Sequence, residues 1–407
     1  MIKRFRFSES ASSKMKSMKY LYKLIRKQGP VTKGILVEQT GFKQTTCARI
    51  IDDLLREGLI IESGVGTSSG GRKPIMYTIN HQLYYSIGID ISRTFTKVLL
   101  LDLQLNVISE IRFSMDKTST PQKTLTFIQH AIEQMLAEHQ IGQEQLLGIG
   151  IGAVGPLDRH NGIMVNPVNF PADYWNNVPI VDELEKTFST KILLDKGINA
   201  AVVAEHQLGL NEIVGNLSYM IAGVGIRLGI MTDHRLLKSD AERFGKFGSG
   251  HMIIDTNGKK CICGDYGCFH TCSTILYLQE EIVHQLKRGY ASILTEKVDD
   301  PDDVSFEDIC AAVEAGDSMC IQVVKDFGFF TGVAVSNIIT LLHSDYWVLS
   351  GPMFNRLNLF YETVVSTAAN RISRLYPGYD VKFRKAQLGE NAGAIGAGGM
   401  IVDYYLG

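Results

Sequence analysis

Hydrophobic and polar positions fall into two textures along the chain. From Lys14 to Gln28, Met15, Met18, Leu21, Tyr22 and Ile25 recur three and four residues apart, the apolar stripe of an amphipathic helix. Gly29-Pro30 ends it, and Thr32 can cap a second short helix holding Ile35, Leu36 and Val37. Gly41-Phe42 supplies a tight turn. A third helix is expected from about Gln44 to Arg56, with Cys47, Ile50, Ile51, Leu54 and Leu55 inward and Gly58 as its stop. Residues 59–62 and 75–79 read as two strands around the glycine-rich stretch 63–74. Helix, helix, turn, helix and hairpin is the order of a winged helix-turn-helix.

After Asn80 the texture changes. Residues 86–91 and 97–102 read as a β-hairpin, 147–156 as a glycine-edged strand, 220–230 as a strand with a tight turn, and 347–352 as a strand leading into a helix. Helical runs at 122–138, 275–288 and 358–375 interleave with them, which argues for a two-lobed α/β body.

The length of 407 residues calls for more than one domain, and 45% hydrophobic with 21% charged residues is ordinary for a globular protein. No stretch approaches 18 uncharged apolar residues, so no membrane span is expected. The basic start, Met1 to Arg6, is not followed by an apolar signal core, and a cytoplasmic location is expected.

The net charge of −2 conceals an asymmetry: residues 1–80 hold 15 Lys+Arg against 6 Asp+Glu, leaving 26 against 37 for the rest. A basic head on an acidic body points to a polyanion partner, here double-stranded operator DNA. The expected contacts are Lys43, Gln44, Thr45, Thr46 and Arg49 on the third helix, which would enter the major groove. Arg72 and Lys73 on the wing would meet phosphates or the minor groove. A head serving only as a protein interface would leave this basic wing and polar helix unexplained.

Seven cysteines, three of them within eight residues, suit a metal site in a reducing compartment better than a disulfide framework. His251, nine residues, Cys261-Ile262-Cys263, four residues, Cys268 offers three thiolates and one imidazole. That set completes a tetrahedral zinc shell with no open position, so the zinc is expected to be structural. Cys47, Cys272, Cys310 and Cys320 lie outside the motif and read as packing residues.

The order of these motifs and the cysteine cluster resemble the ROK family (repressors, open reading frames and sugar kinases), in particular its repressor branch. The resemblance runs from about Lys14 to Gly407. It implies a winged helix-turn-helix followed by a two-lobed actin/hexokinase-like (ribonuclease H-like) α/β domain, with ligand in the cleft and a homodimer or homotetramer as the assembly. The implied domains are 1–80, a first lobe at 81–195 with the C-terminal helix 388–407 packing back on it, and a second lobe at 196–387. The spacing of His251, Cys261, Cys263 and Cys268 matches the family's structural zinc site.

The chain departs from the family's kinases where phosphate is transferred. The base position holds Gly197, within Lys196-Gly197-Ile198-Asn199, and glycine cannot accept a proton. The first phosphate turn reads Asp90-Ile91-Ser92-Arg93-Thr94 and the second Gly223-Val224-Gly225-Ile226-Arg227, each with a side chain replacing a glycine. Two sugar-binding carboxylates are also missing, at Gly248-Ser249-Gly250-His251 and at Gly267-Cys268-Phe269-His270. Among the expected sugar contacts Asn169 survives, in Val168-Asn169-Phe170-Pro171. The terminal Glu390 to Ala397 stretch resembles the adenosine-side helix start and also suits packing against the first lobe.

No catalytic residue is therefore expected. The ligand positions are Asn169, Lys196, His270, Arg93 and Arg227, a set fitting an anionic effector such as a sugar phosphate. A vestigial cleft and a neutral sugar bound in an altered way are the other readings. The leading functional expectation is a repressor of carbohydrate-metabolism genes with an inactive, sugar-sensing kinase-like body. The alternatives are an active sugar kinase with a DNA-binding head, and a regulator controlled by a protein partner.

Overall fold

The computed structural model describes residues 12–66, 73–210, 213–238 and 248–406. The chain forms two compact units, 1–200 with 393–407, and 201–392.

In the first unit, α1 (Ser13–Gln28) is capped by Ser12 and buries Met18, Leu21, Tyr22 and Ile25. β1 (Val31–Thr32) is too short for periodicity to reveal. Thr32 also caps α2 (Lys33–Thr40), which Gly41 ends at φ +66, a left-handed conformation that glycine adopts without strain. In α3 (Gln44–Arg56), Cys47, Ile50, Ile51 and Leu54 are buried as the spacing predicts. Leu55 is only half-buried, and Asp53 is buried in the stripe instead. It pairs with Lys14 at 2.7 Å and Arg56 at 3.0 Å, which offsets the cost of taking a carboxylate out of water. β2 (Ile60–Val65) and β3 (Ile75–Ile79) complete a sheet in the order β1-β3-β2. The wing residue Arg72 lies outside the described residues.

The rest of this unit is built on β4 (Tyr85–Ile91), β5 (Phe95–Asp102), β6 (Val107–Ser114), α4 (Pro121–Glu138) and β7 (Leu146–Ala153). Short β8 (Leu157–Asp158), β9 (Ile163–Met164) and α5 (Ile180–Glu185) lead to β10 (Lys191–Lys196). The sheet order is β10-β7-β4-β5-β6, with β7 parallel to both neighbours and buried at all eight positions. Continuous burial explains why β7 reads as an apolar run without alternation.

The second unit takes over within α6 (Gly197–Ala204), which continues as a π-helical turn over Glu205–Gly209. It contains β11 (Leu217–Ala222), β12 (Ile226–Thr232), β13 (Arg235–Leu236), α7 (Ile275–Lys287), α8 (Phe306–Glu314) and α9 (Ser318–Leu342). β14 (Tyr346–Ser350), α10 (Pro352–Arg356), α11 (Asn358–Leu375) and β15 (Lys382–Lys385) follow, and the sheet order is β13-β12-β11-β14-β15.

The expectation of no membrane span bears most directly on α9. This 25-residue helix is long and apolar enough to cross a membrane by length and composition. Its apolar character has another source here: it is a core helix that buries Val324, Phe327, Val335 and Ile339. Glycines let α11 approach closely, since a Cβ on Gly328 would sit 2.7 Å from the Cβ of Thr363, and one on Gly332 would sit 2.6 Å from that of Thr367.

α12 (Ala392–Leu406) belongs to the first unit from Gly393 onward. A Cβ on Gly88 of β4 would collide with the carbonyl of Ala394, and one on Gly150 of β7 with that of Ala397. The glycine texture of these strands thus serves direct backbone-to-helix packing.

Candidate functional site

Three groups of sequence-predicted residues can be located. On the winged helix, Lys43, Gln44, Thr45 and Arg49 are exposed and Thr46 is half-exposed, all at the N-terminal half of α3. Lys43 sits at the N-cap without a side-chain cap bond. Lys73, at the foot of the wing, is exposed. The helix hides its apolar stripe and turns a polar, cationic one outward, as groove entry requires.

The second group lies in the second unit. His251, Cys261, Cys263 and Cys268 come together with one donor atom each, all within 4.8 Å of one another. Cys261 Sγ is 3.3 Å from His251 Nδ1, and Cys263 Sγ is 3.5 Å from Cys268 Sγ. A tetrahedral zinc shell with bonds of about 2.3 Å spaces its ligand atoms by about 3.8 Å, so the donor set fits that ion.

The backbone shapes this knuckle. Cys261 N–H donates to Asp265 O at 2.8 Å, Gly267 N–H to Lys259 O at 2.9 Å, and Tyr277 Oη to Lys260 O at 3.1 Å. Gly267 has φ +67, and a Cβ there would strike the Asp255 carbonyl, so no other residue fits. Burial lowers the His251 pKa and keeps its imidazole neutral, while burial pushes the Cys261 and Cys268 thiols up. A bound cation must therefore displace protons from those sulfurs.

The third group, the ligand positions, is divided between the units. In the first, Arg93 on the β4–β5 turn donates from Nε to Val168 O at 2.9 Å, which ties this turn to the loop carrying Asn169. Asn169 is exposed at φ +53, a conformation asparagine tolerates better than most residues. Lys196 ends β10 half-buried, with its stem so near Gly155 that a Cβ there would lie 3.1 Å from Lys196 Cε.

Beside it, Asp195 is buried and accepts from Arg159 at 3.3 Å, Asn199 at 2.9 Å and the Lys196 N–H at 2.8 Å. The sequence pattern gave no sign of this network, because Arg159 is 36 residues away. Gly197 opens α6 against β4, and a Cβ on it would lie 2.9 Å from Asp90 Oδ1.

In the second unit the picture differs from expectation at two positions. Arg227 is not in a turn: the turn spans 223–225, and Arg227 is a half-buried strand residue of β12 paired with Ile221. Antiparallel pairing of β11 and β12 resumes at Ile226, directly after Gly225, which places Arg227 in the ladder. His270 is 5% exposed, and its ring stacks on His251 at 5.2 Å and meets Tyr277 edge-on at 5.6 Å. It lies against His251 of the His/Cys cluster.

A winged helix ahead of a two-unit α/β body with a Cys3His knuckle defines a helix-turn-helix protein built on a sugar-kinase-like fold. The ROK family pattern matches residues 86–403, and the chain belongs to the ROK family. The xylose repressor of Bacillus spizizenii is 27% identical over 392 residues, spanning 96% of each chain. The crystal structure of a ROK family transcriptional regulator, a homologue of the E. coli MLC protein, is similar with a TM-score of 0.78 at 22% identity, over 96% of this chain and 97% of that one. The ROK hexokinase of Thermus thermophilus is similar with a TM-score of 0.63 at 22% identity, over 77% of this chain and 96% of that one.

Proposed function

We propose that the chain is a DNA-binding transcriptional repressor of carbohydrate-metabolism genes whose kinase-like body senses a sugar or sugar phosphate and transfers no phosphate. The observation that carries the reading is Gly197: the position that needs a proton acceptor has no side chain, and a Cβ there would lie 2.9 Å from Asp90 Oδ1. The repressor name of a relative spanning 96% of both chains supports it.

In this reading Lys43, Gln44, Thr45, Thr46 and Arg49 face operator bases and phosphates, with Arg72 and Lys73 on the wing. Residues 1–80 form the reading head, and the protein works in the cytoplasm as a homodimer or homotetramer, as two-fold operators favour. Effector binding at Asn169, Arg93, Lys196, Arg227 or His270 changes DNA affinity only through unequal affinity for the DNA-bound and free forms.

His251, Cys261, Cys263 and Cys268 would hold zinc, which supplies a fixed tetrahedral node and no open coordination position. One zinc per chain by elemental analysis is expected, with a lowered Tm on Cys263→Ser.

Two measurements test the function. Purified protein is expected to shift the mobility of DNA from its own promoter region, and to consume no ATP with a panel of hexoses. Sugar-dependent ATP turnover would overturn the loss of catalysis. Thermal unfolding with sugar phosphates and neutral hexoses then sorts the effector, since a ligand at about 100 times its Kd stabilises by about 2.7 kcal/mol. A shift with neutral hexose alone would remove the anionic preference.

A further inference from the structure

The second unit contains a cavity of 520 Å³ that none of the ligand positions above lines. One wall is the 254–259 segment leading into the cysteine knuckle, another is α7, and the floor is α9. The volume is in the range of small-molecule sites. The floor is apolar, with Val323 and Phe327 each 6% exposed and Phe330 lining it too.

The rim is electrostatically one-sided. Asp255, Glu281 and Asp326 line it, and Lys259 is the single cation among the lining residues. That cation is already committed to Glu281 in an ion pair. Asp255 Oδ1 takes the Asn257 N–H at 3.0 Å and Asp326 Oδ1 takes Gln322 Nε2 at 2.9 Å, both neutral donors. Among the described residues, these two carboxylates have no ion-pair partner around an apolar floor, and Tyr290, 50% exposed, also lines the cavity.

We propose that this cavity is a second ligand site, selective for a small organic monocation with an apolar body. Its ammonium would lie among Asp255, Asp326 and the aromatic faces of Tyr290 and Phe330, where carboxylates and ring quadrupoles both favour positive charge. Its hydrocarbon part would cover Val323 and Phe327. An anion of the same shape would meet acidic groups with no free cation opposite. This inference is independent of the repressor reading, because it concerns a different cavity and a ligand of opposite charge from a sugar phosphate.

The test is calorimetric titration of the full-length protein with phenethylamine and, separately, with hydrocinnamate, its carboxylate counterpart. Saturable binding of one phenethylamine per chain is expected, with hydrocinnamate at least about tenfold weaker. Asp326→Asn should weaken the amine several-fold, and Val323→Phe, which fills the cavity, should abolish binding. Circular dichroism checks that each variant is folded. If Val323→Phe does not fold, the amine-to-carboxylate ratio and Asp326→Asn decide the matter. No heat with phenethylamine, equal binding of both probes, or an unchanged Kd in Asp326→Asn would each overturn the proposal.

Discussion

At Gly197 the missing Cβ matters as much as the missing carboxylate. Because a Cβ there would lie 2.9 Å from Asp90 Oδ1, restoring an acid forces a second carboxylate against the first. Overpacking of this kind costs about 1–3 kcal/mol, and like-charge repulsion adds to it. Gly197→Asp is therefore expected to lower stability by about 2 kcal/mol in urea unfolding and to gain no ATP turnover. A stable, active Gly197→Asp protein would mean that the site kept its room for a base. Asp53 is a second residue whose surroundings set its behaviour. The Lys14 hydrogen bond, with further help from Arg56 against the cost of burial, holds its carboxyl below the usual carboxylate range. The folded state thus favours the ionised form. Its contribution is fully present above the unfolded pKa of about 3.9 and fades as pH falls through the lower folded value. Asp53→Asn should cost about 1 kcal/mol near neutrality and lose less stability on acidification than the parent. Superimposable Tm-against-pH curves for the two proteins would refute this. The cluster of His251, Cys261, Cys263 and Cys268 is legible in the sequence from spacing and residue type, and Gly197 stands out only through the family resemblance. Asp53 is not legible there, since an acid on an amphipathic helix reads as solvated until its ion pairs are seen.

Among the elements, the three helices and two longer strands of the head follow from periodicity and caps, and β4, β5 and β7 from their apolar runs. The two-residue β1 carries no period, and α9 is apolar on too many faces for a stripe to stand out. The π-helical turn at Glu205–Gly209 is equally hidden, because its cause is tertiary. Glu205 is fully buried and receives Arg384 Nη2 at 3.0 Å, the Leu388 N–H at 2.9 Å and the Gln387 N–H. One side chain therefore joins the end of α6 to the segment that follows β15. Breaking a buried pair by removing one partner leaves an uncompensated charge and costs about 3–5 kcal/mol. Glu205→Ala is expected to destabilise the protein by about 3 kcal/mol, with Arg384→Ala costing about as much because it strands the carboxylate instead. The double variant should cost less than the sum of the two. Additive losses in chemical unfolding would show that the two side chains do not act as a pair.

For the whole molecule, the division of charge is the property that residues and elements do not supply separately. Residues 1–80 carry 15 basic against 6 acidic residues on a chain of net charge −2, so in the proposed reading attraction to DNA is local to them and opposed by the rest. Binding should then be strongly salt-dependent, with a log–log slope of about −0.9 for each phosphate neutralised. Lys73 is exposed just before β3 and is not part of α3, so in the proposed reading its expected partner is a phosphate. Lys73→Ala should weaken binding to all sequences alike and flatten the salt slope. The size of that change reports on assembly: one head on DNA loses about 1 from the slope, whereas two heads of a two-fold dimer lose about 2. Arg49→Ala, on the outward face of α3, should instead weaken the operator more than unrelated DNA. Titrations of parent and variants on operator and random duplexes, at several salt concentrations, read both effects together. An unchanged slope in Lys73→Ala would remove the wing from the interface. Equal losses on operator and random DNA for Arg49→Ala would move that residue from base reading to phosphate contact.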